Sequence, residues 1–232
     1  MPLSGLFGKF LLLLVPKEKK SGNVYDSFVA DENALKVFEV ALPWLVSNCS
    51  KIVEMETKLM GKIINRFSEK LFVDKGLGSE VKGLEKVIRL TNNTAIRLSS
   101  GLNEQQFSKI NVVLNILGDA SHYLEKIKKV LELGQQHKQK PNKLTKEQLA
   151  NLQKLWEKIA VIQKELENMI LNATTNNMLV DNAMLIKIIA LCKRNESLNT
   201  TTRKNILFKS EKHGDFSLYF DLLLAIENVN TD

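Results

Sequence analysis

Four prolines and eleven glycines are all that 232 residues offer for tight turns. A sandwich or barrel of this length would need many more, so an all-β fold is excluded. Disorder is excluded by the opposite abundance: 44% of residues are apolar and charges of both signs are interleaved, leaving ample apolar surface to offset the entropy of ordering. Only two cysteines occur, Cys49 and Cys192, far apart and each within an apolar helical pattern. They read as small core residues in a reducing compartment, not as a disulfide or a metal site. The three histidines, His122, His137 and His213, supply no Glu-x-x-His for a ferritin-like di-iron centre. A Gly-rich phosphate loop, a His-Glu-x-x-His and a nucleophile elbow are also missing. No catalytic constellation assembles, and the expectation is a protein that is not an enzyme.

Basic residues outnumber acidic ones by 33 to 26, a formal charge of +7. Such a surplus is compatible with nucleic acid, anionic lipid or phosphate-bearing partners, or with lysines spread over solvated helix faces. The densest basic run is Lys17-Glu18-Lys19-Lys20, and no recognition-helix turn accompanies it, so no specific nucleic acid is expected. Asn-x-Ser/Thr triplets at Asn48, Asn172 and Asn195 read as chance matches in an Asn-rich chain.

Leu3 to Val15 is apolar apart from Ser4 and Lys9. At about 13 residues it is too short to span a bilayer, which takes roughly 20, and it lacks the basic start and cleavage site of a signal peptide. Phe7, Phe10, Leu11 and Leu14 fall on one helical face, and Lys17, Lys19 and Lys20 follow. The pattern suits a short amphipathic helix in a membrane interface, or the trailing edge of a membrane domain. The other reading is a terminal helix packed on the domain's own core.

The remainder divides into six amphipathic helices in two sets of three. A polar linker from Ser21 leads to a helix start near Asp31. Leu45, Cys49, Ile52, Leu59, Ile63 and Phe67 then form an apolar stripe that Glu56 interrupts once, with Pro43 starting or kinking the helix. After a turn at Asp74-Lys75-Gly76-Leu77-Gly78, a second helix carries Val81, Leu84, Ile88, Thr91, Ala95 and Leu98. Glu85 and Arg89 stand at salt-bridge spacing within it. Ser99-Ser100-Gly101 ends it, and Asn103 with Gln106 forms a capping box for a third helix along Phe107, Ile110, Leu114, Leu117, Ser121, Leu124, Ile127 and Leu131.

Gly134 to Lys143 is polar and aperiodic, the best domain boundary. Thr145 with Gln148 opens a fourth helix along Leu149, Leu152, Trp156, Ile159, Leu166 and Ile170. A fifth runs from Val180 to Ile206, and His213-Gly214-Asp215 turns into a sixth along Phe216, Tyr219, Leu222, Leu223 and Ile226. Long helices joined by short turns lie antiparallel, so each trio closes as an up-down-up bundle. The expected organisation is an all-α chain with an amphipathic segment and linker (1–30), a first three-helix repeat (31–134) and a second (135–232). Trp44 and Trp156, on apolar stripes, are assigned to core or seam.

The third and sixth helices read as copies: setting Phe107 against Tyr219 aligns Ile110 with Leu222, Val113 with Ala225, Leu114 with Ile226 and Asn115 with Glu227. With its segment Asn115-Ile116-Leu117-Gly118-Asp119 and the run from Tyr219 to Glu227, the chain resembles PhoU proteins. These are tandem three-helix bundles whose third and sixth helices carry a Glu-Arg-Ile-Gly-Asp-like motif. More closely, Pro2-Leu3-Ser4-Gly5-Leu6-Phe7 and Leu13-Leu14-Val15-Pro16 resemble the segments that lead into the PhoU-like cytoplasmic region of bacterial sodium/phosphate cotransporters.

The resemblance implies a cytoplasmic regulatory or accessory domain at the inner face of the membrane. It would dock by helix faces on a membrane phosphate transporter, separate or fused, and self-associate as a homodimer. It also implies carboxylates holding a divalent or iron-type metal on a bundle face, at Asn115, Asp119 and Glu227. Asn115 and Thr231 replace two of the family's carboxylates, and Asp232 is displaced by one residue. Neutral side chains bring no charge to offset a multivalent cation's dehydration, so no cofactor is expected. Charge alone supports one alternative: a generic basic helical bundle that binds nucleic acid or acts as an adaptor.

Overall fold

The computed structural model describes residues 28, 34–68, 72, 74, 76–136, 144–175, 190, 193 and 216–227, and among them the chain is all-helical with no strand. A 3-10 turn at Ala34–Lys36 precedes five helices: α1 Phe38–Arg66, α2 Leu77–Ser99, α3 Glu104–Gln136, α4 Lys146–Thr175 and α5 Phe216–Glu227. The helix expected over Val180–Ile206 lies outside the described residues apart from Ala190 and Lys193, which are helical and exposed. The segment of Phe7, Phe10, Leu11, Leu14, Lys17, Lys19 and Lys20 lies outside them as well.

Local chemistry sets most of the boundaries. Asn103 and Gln106 exchange backbone-to-side-chain hydrogen bonds of 3.2 and 2.9 Å, and Thr145 and Gln148 do the same at 2.7 and 3.2 Å. These are the two expected capping boxes, each satisfying donors that a helix start leaves orphaned. Gly76 and Gly101 adopt φ of 89° and 84° at the turns flanking α2, a left-handed conformation that suits glycine. Asp74 holds the first of these turns by accepting a 2.8 Å hydrogen bond from the Gly78 N–H. Asp31, near which a helix start is expected, lies outside the described residues; α1 begins at Phe38 and keeps Pro43 as its sixth residue. There the missing N–H removes one backbone bond without ending the helix.

Three cross-links fix the helix directions. Lys62 near the end of α1 meets Glu80 near the start of α2 at 2.7 Å. Lys128, late in α3, meets Glu85 early in α2 at 3.1 Å. Gln135 at the end of α3 donates to Asp74, between α1 and α2, at 3.2 Å. The first three helices therefore run up, down and up. As exposed pairs these contacts contribute little stability. In particular, Glu85 reaches across to α3 and not along its own helix to Arg89.

Burial supplies the cohesion. One contiguous cluster draws on all five helices, with Leu45, Ile52, Ile63, Ile110, Ile127, Ile159 and Leu222 fully enclosed. α1 sits at its centre, packed on α2, α3 and α4, while α5 packs on α3 and α4. Trp44 and Trp156 are partly buried against this core. Gly61 of α1 lies under the Trp156 indole, whose Nε1 would be 2.9 Å from a Cβ placed there, so the α1–α4 seam is tight. At the bundle's end Phe72 plugs the α1–α2 connection: its ring lies 4.9 Å from that of Phe67 and covers Gly134. Gly134 is thus buried inside α3 rather than opening a linker, and the aperiodic stretch begins later.

Within α3 the inward stripe is Ile110, Val113, Leu117, Ala120, Tyr123, Leu124 and Ile127. Phe107 and Ser121, expected on it, face outward. Ser121 returns its hydroxyl to the Leu117 carbonyl at 2.9 Å. The aligned copies accordingly differ in surroundings: Ile110 and Leu222 are both buried, yet Phe107 is 49% exposed and Tyr219 only 2%.

Candidate functional site

Asn115 and Asp119 lie one turn apart on the exposed side of α3, with exposed His122 a further turn along. Glu227 ends α5. Among the described residues no group of three or more His, Cys, Asp or Glu side chains gathers in a way that could hold a metal ion. Asp119 and His122 stand as side chains on one solvated face.

The polar groups that do converge are inside. Glu56, the residue that interrupts the α1 stripe, is 2% exposed, and its Oε1 has no hydrogen-bond partner. Burial raises its carboxyl well above the ordinary carboxylate range, because the charged form loses its hydration there. The neutral acid is the form the core favours. Tyr123 of α3 is buried with its hydroxyl unpartnered. Burial raises that phenol well above its usual value, and a charge on nearby Glu56 would raise it further. Cys49, two turns before Glu56 on the same face, is pushed up to about 12 by burial, with Glu56 adding to the shift and its own backbone hydrogen bond opposing it. A thiol held this firmly protonated is a packing group and not a nucleophile at neutral pH. Asn48 is buried as well, its Nδ2 unpartnered. Its burial within α1 also removes the Asn48 triplet as an acceptor for glycan attachment, which needs surface access.

Between α1 and α4 an open groove of about 200 Å³ is lined by Glu54, Thr57, Lys58, Ala160, Lys164 and Glu167. Its charges are already matched along each helix: Lys58 donates to Glu54, and Lys164 to Glu167 at 2.7 Å. The hydrogen bond to Glu167 raises Lys164 above its ordinary value. The volume lies below the roughly 300 Å³ at which ligand pockets begin. This is a structural seam.

The outer surface is more informative. On α2, the exposed Lys82, Lys86, Arg89, Asn93 and Arg97 form one line along the helix, opposite the buried Val81, Leu84, Ile88, Ala95 and Leu98. A scan for consecutive basic residues misses this line, because the cations are spaced at intervals of three, four and eight. The signal was present as the complement of the apolar stripe. On α3, Phe107 and Val112 are exposed; at 100° per residue they flank the line Asn111, Asn115 and Asp119. No helix among the described residues is long and apolar enough to cross a membrane.

No family model matches the chain, no curated protein matches it in sequence, and no solved structure matches it. The functional reading therefore rests on the residues and their arrangement.

Proposed function

We propose that this chain is a non-enzymatic, PhoU-like regulatory bundle of phosphate transport. It would act by docking helix faces on the cytoplasmic side of a membrane transporter and biasing that partner's conformational equilibrium. The fuller architecture, a tandem pair of three-helix bundles with six main helices, belongs to the same proposal. The carrying observation is on α3. Phe107 and Val112 stand exposed on either side of Asn111, Asn115 and Asp119, so the helix bearing the motif remnant presents an apolar-flanked face outward. A docking helix needs such anchors, because binding energy concentrates in a few desolvated side chains. The inward position and suppressed ionisation of Glu56 and Cys49 agree with this reading, since the most perturbed groups face the core and not a cleft.

The degraded motif, with Asn115 in place of a carboxylate, supports a bundle that works without a resident metal. Deleting the gene tests the proposal through phosphate uptake in phosphate-rich and phosphate-starved cells. Altered uptake, restored by the intact gene and not by a Phe107→Asp, Val112→Asp form, is expected. Unchanged uptake under both conditions overturns it.

A further inference from the structure

Among the described residues, exposed charge is not spread evenly over the helices. On α3 the exposed side chains are mostly acidic or neutral, among them Glu104, Asp119, Glu125 and Glu132. On α2 the reverse holds. Lys82, Lys86, Arg89 and Arg97 occupy the outermost line of the helix, and at 1.5 Å per residue they extend over about 22 Å. The acidic residues of α2 are engaged elsewhere: Glu85 accepts from Lys128 of α3 at 3.1 Å and Glu80 from Lys62 of α1 at 2.7 Å. Among the described residues no carboxylate pairs with the four cations. A solvated face with no partner would be expected to intersperse both signs, as the outer face of α4 does with Lys154, Glu157 and Lys158.

Two aliphatic side chains border the cationic line. Leu90 is 40% exposed on one margin and Ile96 is 51% exposed on the other. On a helical wheel the whole set lies within an arc of about 120° centred opposite the core. Cations along the middle with aliphatic groups at both edges make the pattern of a helix lying on an anionic bilayer: the charges meet lipid phosphates and carboxylates, and the aliphatic groups enter the acyl boundary. A nucleic-acid backbone would satisfy the cations but offer nothing apolar to Leu90 and Ile96.

We propose that the outer face of α2, through Lys82, Lys86, Arg89 and Arg97 with Leu90 and Ile96, docks on an anionic membrane surface. This deepens the membrane-side reading given above by naming the face and the chemistry it meets, and it assigns that face to lipid while the α3 face is left for the transporter.

The test is cosedimentation of the full chain with phosphatidylcholine vesicles, with and without phosphatidylserine. Binding should require phosphatidylserine and fall steeply with salt. Each basic residue near an anionic leaflet is worth roughly a fivefold change in partitioning, so the triple substitution Lys82→Gln, Lys86→Gln, Arg89→Gln should weaken binding on the order of 100-fold. Leu90→Asn with Ile96→Asn should weaken it as well. All five positions are exposed, and circular dichroism of each variant checks that the bundle is intact. A parallel variant, Lys17→Gln, Lys19→Gln, Lys20→Gln, reports on the N-terminal segment. If binding follows that variant alone, the α2 proposal is overturned while membrane docking survives. Failure of the unaltered chain to bind phosphatidylserine vesicles overturns the lipid assignment but leaves the phosphate-uptake test standing. Binding to duplex DNA that exceeds binding to vesicles and ignores Leu90 and Ile96 overturns it in favour of a nucleic-acid backbone.

Discussion

Glu56→Met should stabilise this protein, and the gain should grow as the solution becomes more alkaline. Glu56 lies at the centre of α1 with Oε1 unpartnered and burial raising its carboxyl well above the normal range. A buried polar atom without a hydrogen bond costs about 1–3 kcal/mol. Methionine keeps a similar length and flexibility while removing that cost. A second contribution comes from proton linkage. Below the unfolded carboxyl value, about 4.5, folded and unfolded states both carry the proton and pH has no effect through this group. Above it, the unfolded chain releases the proton while the folded chain retains it, so stability falls by about 1.4 kcal/mol per pH unit until the raised folded value is passed.

The variant lacks that descent. Urea unfolding followed by far-ultraviolet circular dichroism, from about pH 5 to about pH 8, should give midpoints that diverge steadily, with unchanged m-values. Each kcal/mol gained corresponds to a melting temperature roughly 2–4 °C higher for a chain of this size. Parallel profiles for the two proteins, or a variant less stable at every pH, would refute the account of Glu56 as an uncompensated buried acid.

Gly134→Ala should destabilise the bundle by about 1–3 kcal/mol through overpacking, because its Cβ would come within 2.5 Å of the Phe72 ring. Phe72→Leu in the same chain should recover part of the loss in thermal melts. Thr145→Ala removes the hydroxyl that accepts the Gln148 N–H and should cost about 1 kcal/mol, read as a lower urea midpoint. In a Cys192→Ser background, the buried Cys49 thiol should resist Ellman's reagent at neutral pH in the folded protein and react at once in urea. Rapid labelling of the folded form would contradict its burial.

Features governed by neighbouring residues were legible in the sequence. The Asn103/Gln106 and Thr145/Gln148 boxes and the Gly76 and Gly101 turns each depend on interactions within four residues, and the structure has them where the pattern places them. Features governed by distant packing were not. Gly134 looks like a linker residue until Phe72, some sixty positions away, covers it. Phe107 falls on an inward period, yet in the first turn of α3 it is left exposed. Glu56 was visible only as a defect in a stripe; that the defect is buried follows from α1 having neighbours on three sides. The cations of α2 escaped notice for a geometric reason, since residues three or four apart adjoin in a helix but not in a written chain. Salt-bridge spacing likewise suggested Glu85 with Arg89, whereas Lys128 of a neighbouring helix takes Glu85.

The central place of α1 bears on any attempt to cut the chain into smaller working pieces. Because one flank of α1 holds Gly61 against Trp156, a fragment ending before α4 would carry a bare apolar strip along its longest contact. Such a piece would be prone to clump or to pair with itself, so useful dissection has to keep α1 and α4 together, even at the expense of a longer fragment.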